Sequence, residues 1–261
     1  TILQLSDLIQ SSTNGFKYKD YMIMNGHNDN ADPFDLTNVQ QAYLYGRMSH
    51  FEMGNISTHS YFELKFEKFD VNNFERSLNV LVNRHGALRT VFKNHKQIIL
   101  DQVPRYNLID HGYIDQSDME DIRQRLSHKV YQTDQWPLFD YELSYYQDQY
   151  ILHVSIDALI MDGTSSSIFF SELAALYNAD DLDDVDLPEL KISFRDYLVQ
   201  SNKVRASSLF DEAKKYWVSK LDSYNFLAKL PMLKNPKNVM APRFLRLTKT
   251  IQQKKWQAIE N

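Results

Sequence analysis

Residues 150–177, YILHVSIDALIMDGTSSSIFFSELAALY, decide the fold. In the first part Leu152, Val154 and Ile156 alternate with Ile151, His153, Ser155 and Asp157, so successive side chains fall on opposite faces, as in a strand. Beyond Gly163, Ser165, Ser166 and Ser167 open an amphipathic helix that carries Ile168, Phe169, Leu173, Leu176 and Tyr177 on its apolar side. The join between the two holds Asp157 and Asp162 around four non-ionisable residues. A carboxylate placed among such neighbours needs a partner or a purpose. Asp162, just before Gly163, has two open readings, a turn and helix start or a working acid. Asp157 closes an apolar strand and has no turn to make, which favours the second reading for it.

Upstream, Phe139–Tyr146 makes a hairpin with this strand around Gln147-Asp148-Gln149. Residues 61–69, YFELKFEKF, alternate Phe62, Leu64 and Phe66 with Glu63, Lys65 and Glu67, a strand with one wet face. Asp70 then caps a helix with Phe74, Leu78, Leu81 and Val82 on one stripe, expected to close at Gly86 in a left-handed cap. Short strands are expected at Leu88–Lys93 and Gln97–Leu100. Ser117 and Glu120 suggest a capping box for a helix running to about Val130. Thr37 caps a brief helix through Val39, Ala42 and Tyr43 to about Gly46. Residues 1–31 read as a lead-in helix and loop. After the acidic loop Asp180–Asp186, helices are expected near Ser193–Gln200 and Leu209–Leu221, then an irregular connector over 222–242. Arg243–Ile251 reads as a strand, with a helix from Lys254. The expected division is a lead-in (1–33), a main lobe (34–190), helices and connector (191–242) and the start of a further, truncated lobe (243–261).

The 261 residues are 43% hydrophobic and 24% charged, the composition of a packed globular chain. There is no cysteine, which excludes disulfides, thiolate metal sites and a cysteine nucleophile, and a reducing, cytoplasmic setting is expected. No apolar run approaches the roughly 18 residues that cross a bilayer, so no membrane partner is expected. Residues 1–190 carry 14 Lys/Arg against 29 Asp/Glu, and residues 191–261 carry 15 against 5. The basic residues of the second segment are dispersed rather than clustered, which favours contact with acidic protein or solvent over nucleic acid. No glycine falls in a phosphate-cradling pattern, and the histidines lack metal-ligand spacing.

Several motifs together resemble a known family. Residues 157–163, DALIMDG, resemble the DxxxxDG core of the heterocyclization domains of non-ribosomal peptide synthetases, a branch of the condensation domains, which otherwise carry HHxxxDG. In that alignment Asp157 falls on the first histidine, Ala158 on the second and Asp162 on the shared aspartate. Residues 34–47, FDLTNVQQAYLYGR, are similar to the opening FPLTxxQxAYxxGR, with Asp35 in place of the proline. RHGALRTVF (84–92) resembles RHxxLRxxF, LPELKISFRDYL (187–198) resembles LPxLxxxFRDY, and Lys215-Tyr216-Trp217 with Leu221-Asp222 resembles YWxxxLD.

The resemblance implies an α/β lobe of the chloramphenicol-acetyltransferase type, a mixed sheet flanked by helices in two layers, and one half of a two-lobe domain with its site in the tunnel between lobes. It implies that an acyl donor and a cysteine, serine or threonine acceptor arrive on the phosphopantetheine arms of carrier proteins, beside an adenylation domain, with no cofactor bound by the domain itself. The product would be an amide, then a thiazoline or oxazoline. A plain amide-forming domain and a non-catalytic carrier-binding scaffold are the alternatives, and the fragment alone is expected to be inactive. On this reading Asp157 and Asp162 carry the chemistry. Asp157 would hydrogen-bond the attacking group and pass a proton, and Asp162 would hold the loop through Arg84, Arg89 or an arginine of the second lobe. His153, Gly163, Tyr43 and Arg47 would line the channel, although packing is an equal reading for the last two. His85 reads more simply as a helix-end histidine than as a base.

Overall fold

The structure, a computed structural model, describes residues 32–49, 51, 53–223, 231–239, 242–244, 247 and 249–260. The lead-in expected over 1–31 lies outside the described residues. In chain order the elements are α1 (Asn38–Gly46), β1 (His59–Phe66), α2 (Val71–Arg84), β2 (Thr90–Lys93), β3 (Lys96–Ile99), β4 (Ile109–Tyr113), α3 (Gln116–Ser127), β5 (Phe139–Tyr146), β6 (Gln149–Asp157), α4 (Gly163–Tyr177), α5 (Phe194–Arg205), α6 (Ser208–Lys220) and α7 (Gln253–Glu260).

The main sheet runs β1-β6-β5-β4, antiparallel except for the parallel β4–β5 pair, so it is mixed as expected. Its two faces follow from the alternation. Phe62, Val154 and Tyr141 share one row and Leu64, Leu152 and Leu143 the next. These rows meet Phe74, Leu78 and Leu81 of α2 and Phe169, Leu173 and Leu176 of α4 in one core. The opposite face carries Glu63, His153 and Glu142 in register, and α3 lies across it, joined by Arg123 to Glu63 and Arg125 to Glu142. Both residues of the β5–β6 turn, Gln147 and Asp148, have positive φ (48° and 60°), the backbone of a two-residue turn that matches strand twist.

Several local expectations are corrected. Helix α2 ends at Arg84, where the N–H of an extended His85 donates to Leu81 O, and Gly86 starts a short 3₁₀ turn instead of adopting a left-handed cap. That turn occupies 86–89, so the next strand begins at Thr90 rather than Leu88. Helix α3 is boxed by Asp115 and Asp118, not by Ser117 and Glu120. An ionised side chain is the stronger acceptor for the free amides of a first turn. That helix closes at Ser127, short of Val130. The strand expected over 243–251 is irregular at its described residues, where no neighbouring strand supplies a ladder.

Candidate functional site

The DALIMDG loop is held from beneath by α1. Thr37 caps that helix by accepting from Gln40 N, and Gln40 returns the bond by accepting from Thr37 N at 2.9 Å. With its start fixed, the helix presents Arg47 at its far end. Arg47 Nη2 lies 2.6 Å from both carboxylate oxygens of Asp157, and Nη1 donates to Tyr131 O at 3.4 Å. Asp157 also accepts from Ser57 Oγ (2.9 Å) and from the backbone N–H of Leu159 (2.9 Å). The carboxylate is 0% exposed and the Arg47 side chain 8%. Asp157 therefore ties together the end of α1, the approach to β1, the end of β6 and the loop.

Asp162 sits differently. It is exposed and is the N-cap of α4, accepting from Ser165 N at 2.8 Å and from Ser165 Oγ at 2.7 Å. The backbone bond from Ser165, with the serine hydroxyl, holds its carboxyl below the usual range. The two arginines considered as its partners are engaged elsewhere. Arg84 pairs with Glu172 and donates to Pro188 O, while Arg89 is buried and donates to the carbonyls of Val82, Asn83 and Leu100. A cap function gives a direct test. Asp162→Ala is expected to lower unfolding free energy by about 1 kcal/mol, and Asp162→Asn, which still caps, by much less. Equal losses in chemical denaturation would rule the cap out as its structural role.

A groove of about 740 Å³ lies between the loop, the start of α1 and α5. Ala158, Leu159, Ile160, Met161 and Asp162 form one wall, with Thr37 to Gln40, His85 to Ala87, Gln97 and residues of α5 around the rest. The histidine beside it, His85, is bound through Nε2 to Glu172 at 2.6 Å. Gly163, Tyr43, Arg47 and His153 are not among the groove's lining residues. Tyr43 packs against the core. His153 is fully buried on the α3 face, with Nδ1 2.9 Å from Tyr61 Oη and Nε2 2.8 Å from Ser144 Oγ. Its burial lowers its pKa to about 4.

Sequence reading included Gln40 only as the glutamine of the opening motif, with no role assigned, and had not singled out Ser57, Gln97 or Glu172. Gln40 was legible as the fourth residue of a Thr-x-x-Gln capping box; the other three carry no local signal. Among the described residues no group of three or more acidic or histidine side chains is placed to hold a metal ion, and no helix is long and apolar enough to cross a membrane.

Comparison with known proteins places this arrangement. The chain is 30% identical over 244 residues to bacitracin synthase 1 of Bacillus licheniformis, covering 88% of this chain and 5% of that one. It is also 30% identical over 235 residues to pyochelin synthetase PchF of Pseudomonas aeruginosa, covering 87% and 13%. The solved cyclization-docking bidomain of the EpoB non-ribosomal peptide synthetase from Sorangium cellulosum superposes with a TM-score of 0.78 at 25% identity, over 93% of this chain and 50% of that one. The chain thus spans about half of the solved bidomain and a small part of the curated synthetases. The Condensation domain family model matches residues 30–260, and with the loop, the α1 clamp and the mixed sheet in place, this chain belongs to the condensation domain family.

Proposed function

We propose that the chain forms the N-terminal lobe of a heterocyclization domain, which joins a carrier-bound acyl donor to carrier-bound cysteine, serine or threonine and closes the product to a thiazoline or oxazoline. The observation that carries this reading is the loop wall of the groove. Ala158 stands where the ordinary condensation pattern has its second histidine, and the preceding Asp157 is buried against Arg47 rather than facing the groove. Such a wall offers the acceptor amine no histidine base at that position. Orientation of the two tethered reactants then carries the condensation, and it can lower a bimolecular barrier by about 7–11 kcal/mol. Asp157 acts in this scheme through the loop it holds and not as a proton carrier. Likeness to the EpoB cyclization-docking bidomain supports the ring-forming branch over plain condensation.

Carrier proteins with phosphopantetheine arms, an adjacent adenylation domain and a second lobe facing the groove complete the proposed setting. The test uses the complete protein with both carriers loaded and reads product mass. The expected product is lighter by one water than the linear amide. Linear amide alone would replace this reading by plain condensation, and normal carrier binding without any product would replace it by a scaffold lobe. The 261-residue chain by itself is expected to release no ring, since it supplies one wall of the proposed tunnel.

A further inference from the structure

The groove wall is pinned at one residue from two directions. The N–H of Leu159 donates to Asp157 Oδ1 at 2.9 Å, and its carbonyl accepts from Gln40 Nε2 at 3.0 Å. Both polar backbone atoms of the loop's central residue are thus held by side chains. Gln40 and Arg47 are seven residues apart on α1, two turns, so they project from the same face. One end of that face holds the Leu159 carbonyl directly, and the other holds Asp157, which holds the Leu159 amide.

Gln40 is itself fixed. Its Nε2 and Oε1 exchange 3.2 Å bonds with the amide of Gln97, whose Nε2 also donates to Asp35 O at 2.7 Å. Gln97 is 1% exposed and Gln40 7%. The carbonyls of Leu159 and Asp35 accept only, which settles the orientation of both amides. The peptide of Gln97 pairs in turn with that of Phe34, both bonds at 3.0 Å. The segment leading into α1, the helix, β3 and the loop all converge on this amide pair.

We infer that Gln40 is a positioning residue that sets the backbone of residues 158–160 against the groove. As a functional statement this rests on the condensation reading above; as a statement about the loop it stands on the geometry alone. In the complete protein, Gln40→Met removes all of its polar contacts. Gln40→Glu keeps oxygens that accept from Thr37 N and Gln97 Nε2 and, when ionised, loses the two donations made by Nε2, to Leu159 O and to Gln97 Oε1.

Amide hydrogen exchange and single-turnover condensation with loaded carriers are the two measurements. In both variants, exchange at residues 158–160 is expected to quicken about fivefold to tenfold, the factor associated with one buried hydrogen bond, while β5 and β6 stay protected. The condensation rate constant is expected to fall by a similar factor with the carrier KM within twofold. Unchanged exchange at 158–160 in Gln40→Glu would overturn the inference. So would exchange that quickens equally across β5 and β6, because Gln40 would then be a general fold residue. A parent protein silent in every condensation assay would remove the functional reading, and the exchange data would still decide the clamp.

Discussion

Arg47→Ala is expected to lower the unfolding free energy by about 3–5 kcal/mol, the range for removing one partner of a buried ion pair. The Asp157 carboxylate would remain in place at 0% exposure, with only Ser57 Oγ and the Leu159 amide to solvate it. Removing both charges together should cost less than removing one, since no uncompensated ion remains buried. The double variant Arg47→Met/Asp157→Leu is therefore expected to recover part of the loss. Recovery should be incomplete, because Leu159 N–H would lose its acceptor. Urea denaturation of the single and double variants measures this coupling directly. Additive effects would show that the pair contributes nothing as a pair. For turnover in the complete protein, both single variants are expected to reduce condensation, because both release the same loop. Wild-type rates for Asp157→Asn in a stably folded domain would remove Asp157 from the mechanism altogether.

Stability is also expected to fall by up to about 3 kcal/mol as pH drops from 6.5 towards 4. His153 is the cause. Burial on the α3 face lowers its pKa to about 4, whereas an unfolded chain titrates histidine near 6.5. Between those two values the unfolded state binds more protons, so stability rises with pH and is complete above about 6.5. A shift of that size corresponds to about 3 kcal/mol at 1.36 kcal/mol for each pKa unit. The hydrogen bonds fit a neutral ring. Tyr61 O–H donates to Glu63, so Nδ1–H donates to Tyr61 and Nε2 accepts from Ser144.

The flanking carboxylates act lower on the scale. Glu63 is held below its usual value by Arg123. Burial raises Glu142, but the bonds from Arg125 and His111 outweigh it and leave it lowered. Their contribution is lost as pH falls below the ordinary carboxylate range, beneath the histidine window. Denaturant midpoints between pH 7 and 5 should therefore slope in the parent protein and flatten in His153→Asn. A flat parent profile over that interval would sink the neutral-histidine assignment.

Some of this was readable in the sequence. The β5–β6 hairpin, Asp70 and Thr37 as caps, and the long α4 all follow from side-chain period and first-turn chemistry, which act over a few residues. Where two local signals competed, reading was less sharp. Ser117 and Asp115 both offer an acceptor for the start of α3, and the charged one took it. Gly86 was free to close α2, but the chain there had to turn into β2. For the site, sequence singled out Asp157, Asp162 and Arg47 without saying which of them meet.

From its residues alone the chain determined the alternation that splits the sheet into an apolar and a polar face, and the loop motif that resembles the cyclizing branch. Tertiary structure alone decided that Asp157 is bound to Arg47 from 110 positions away, that Asp162 is a helix cap, and that His153 is fully buried with Tyr61 and Ser144 as its hydrogen-bond partners. Period and capping are set by neighbours along the chain. The partner of a buried charge is set by which distant segments packing brings within 3 Å, and no spacing in the sequence encodes that.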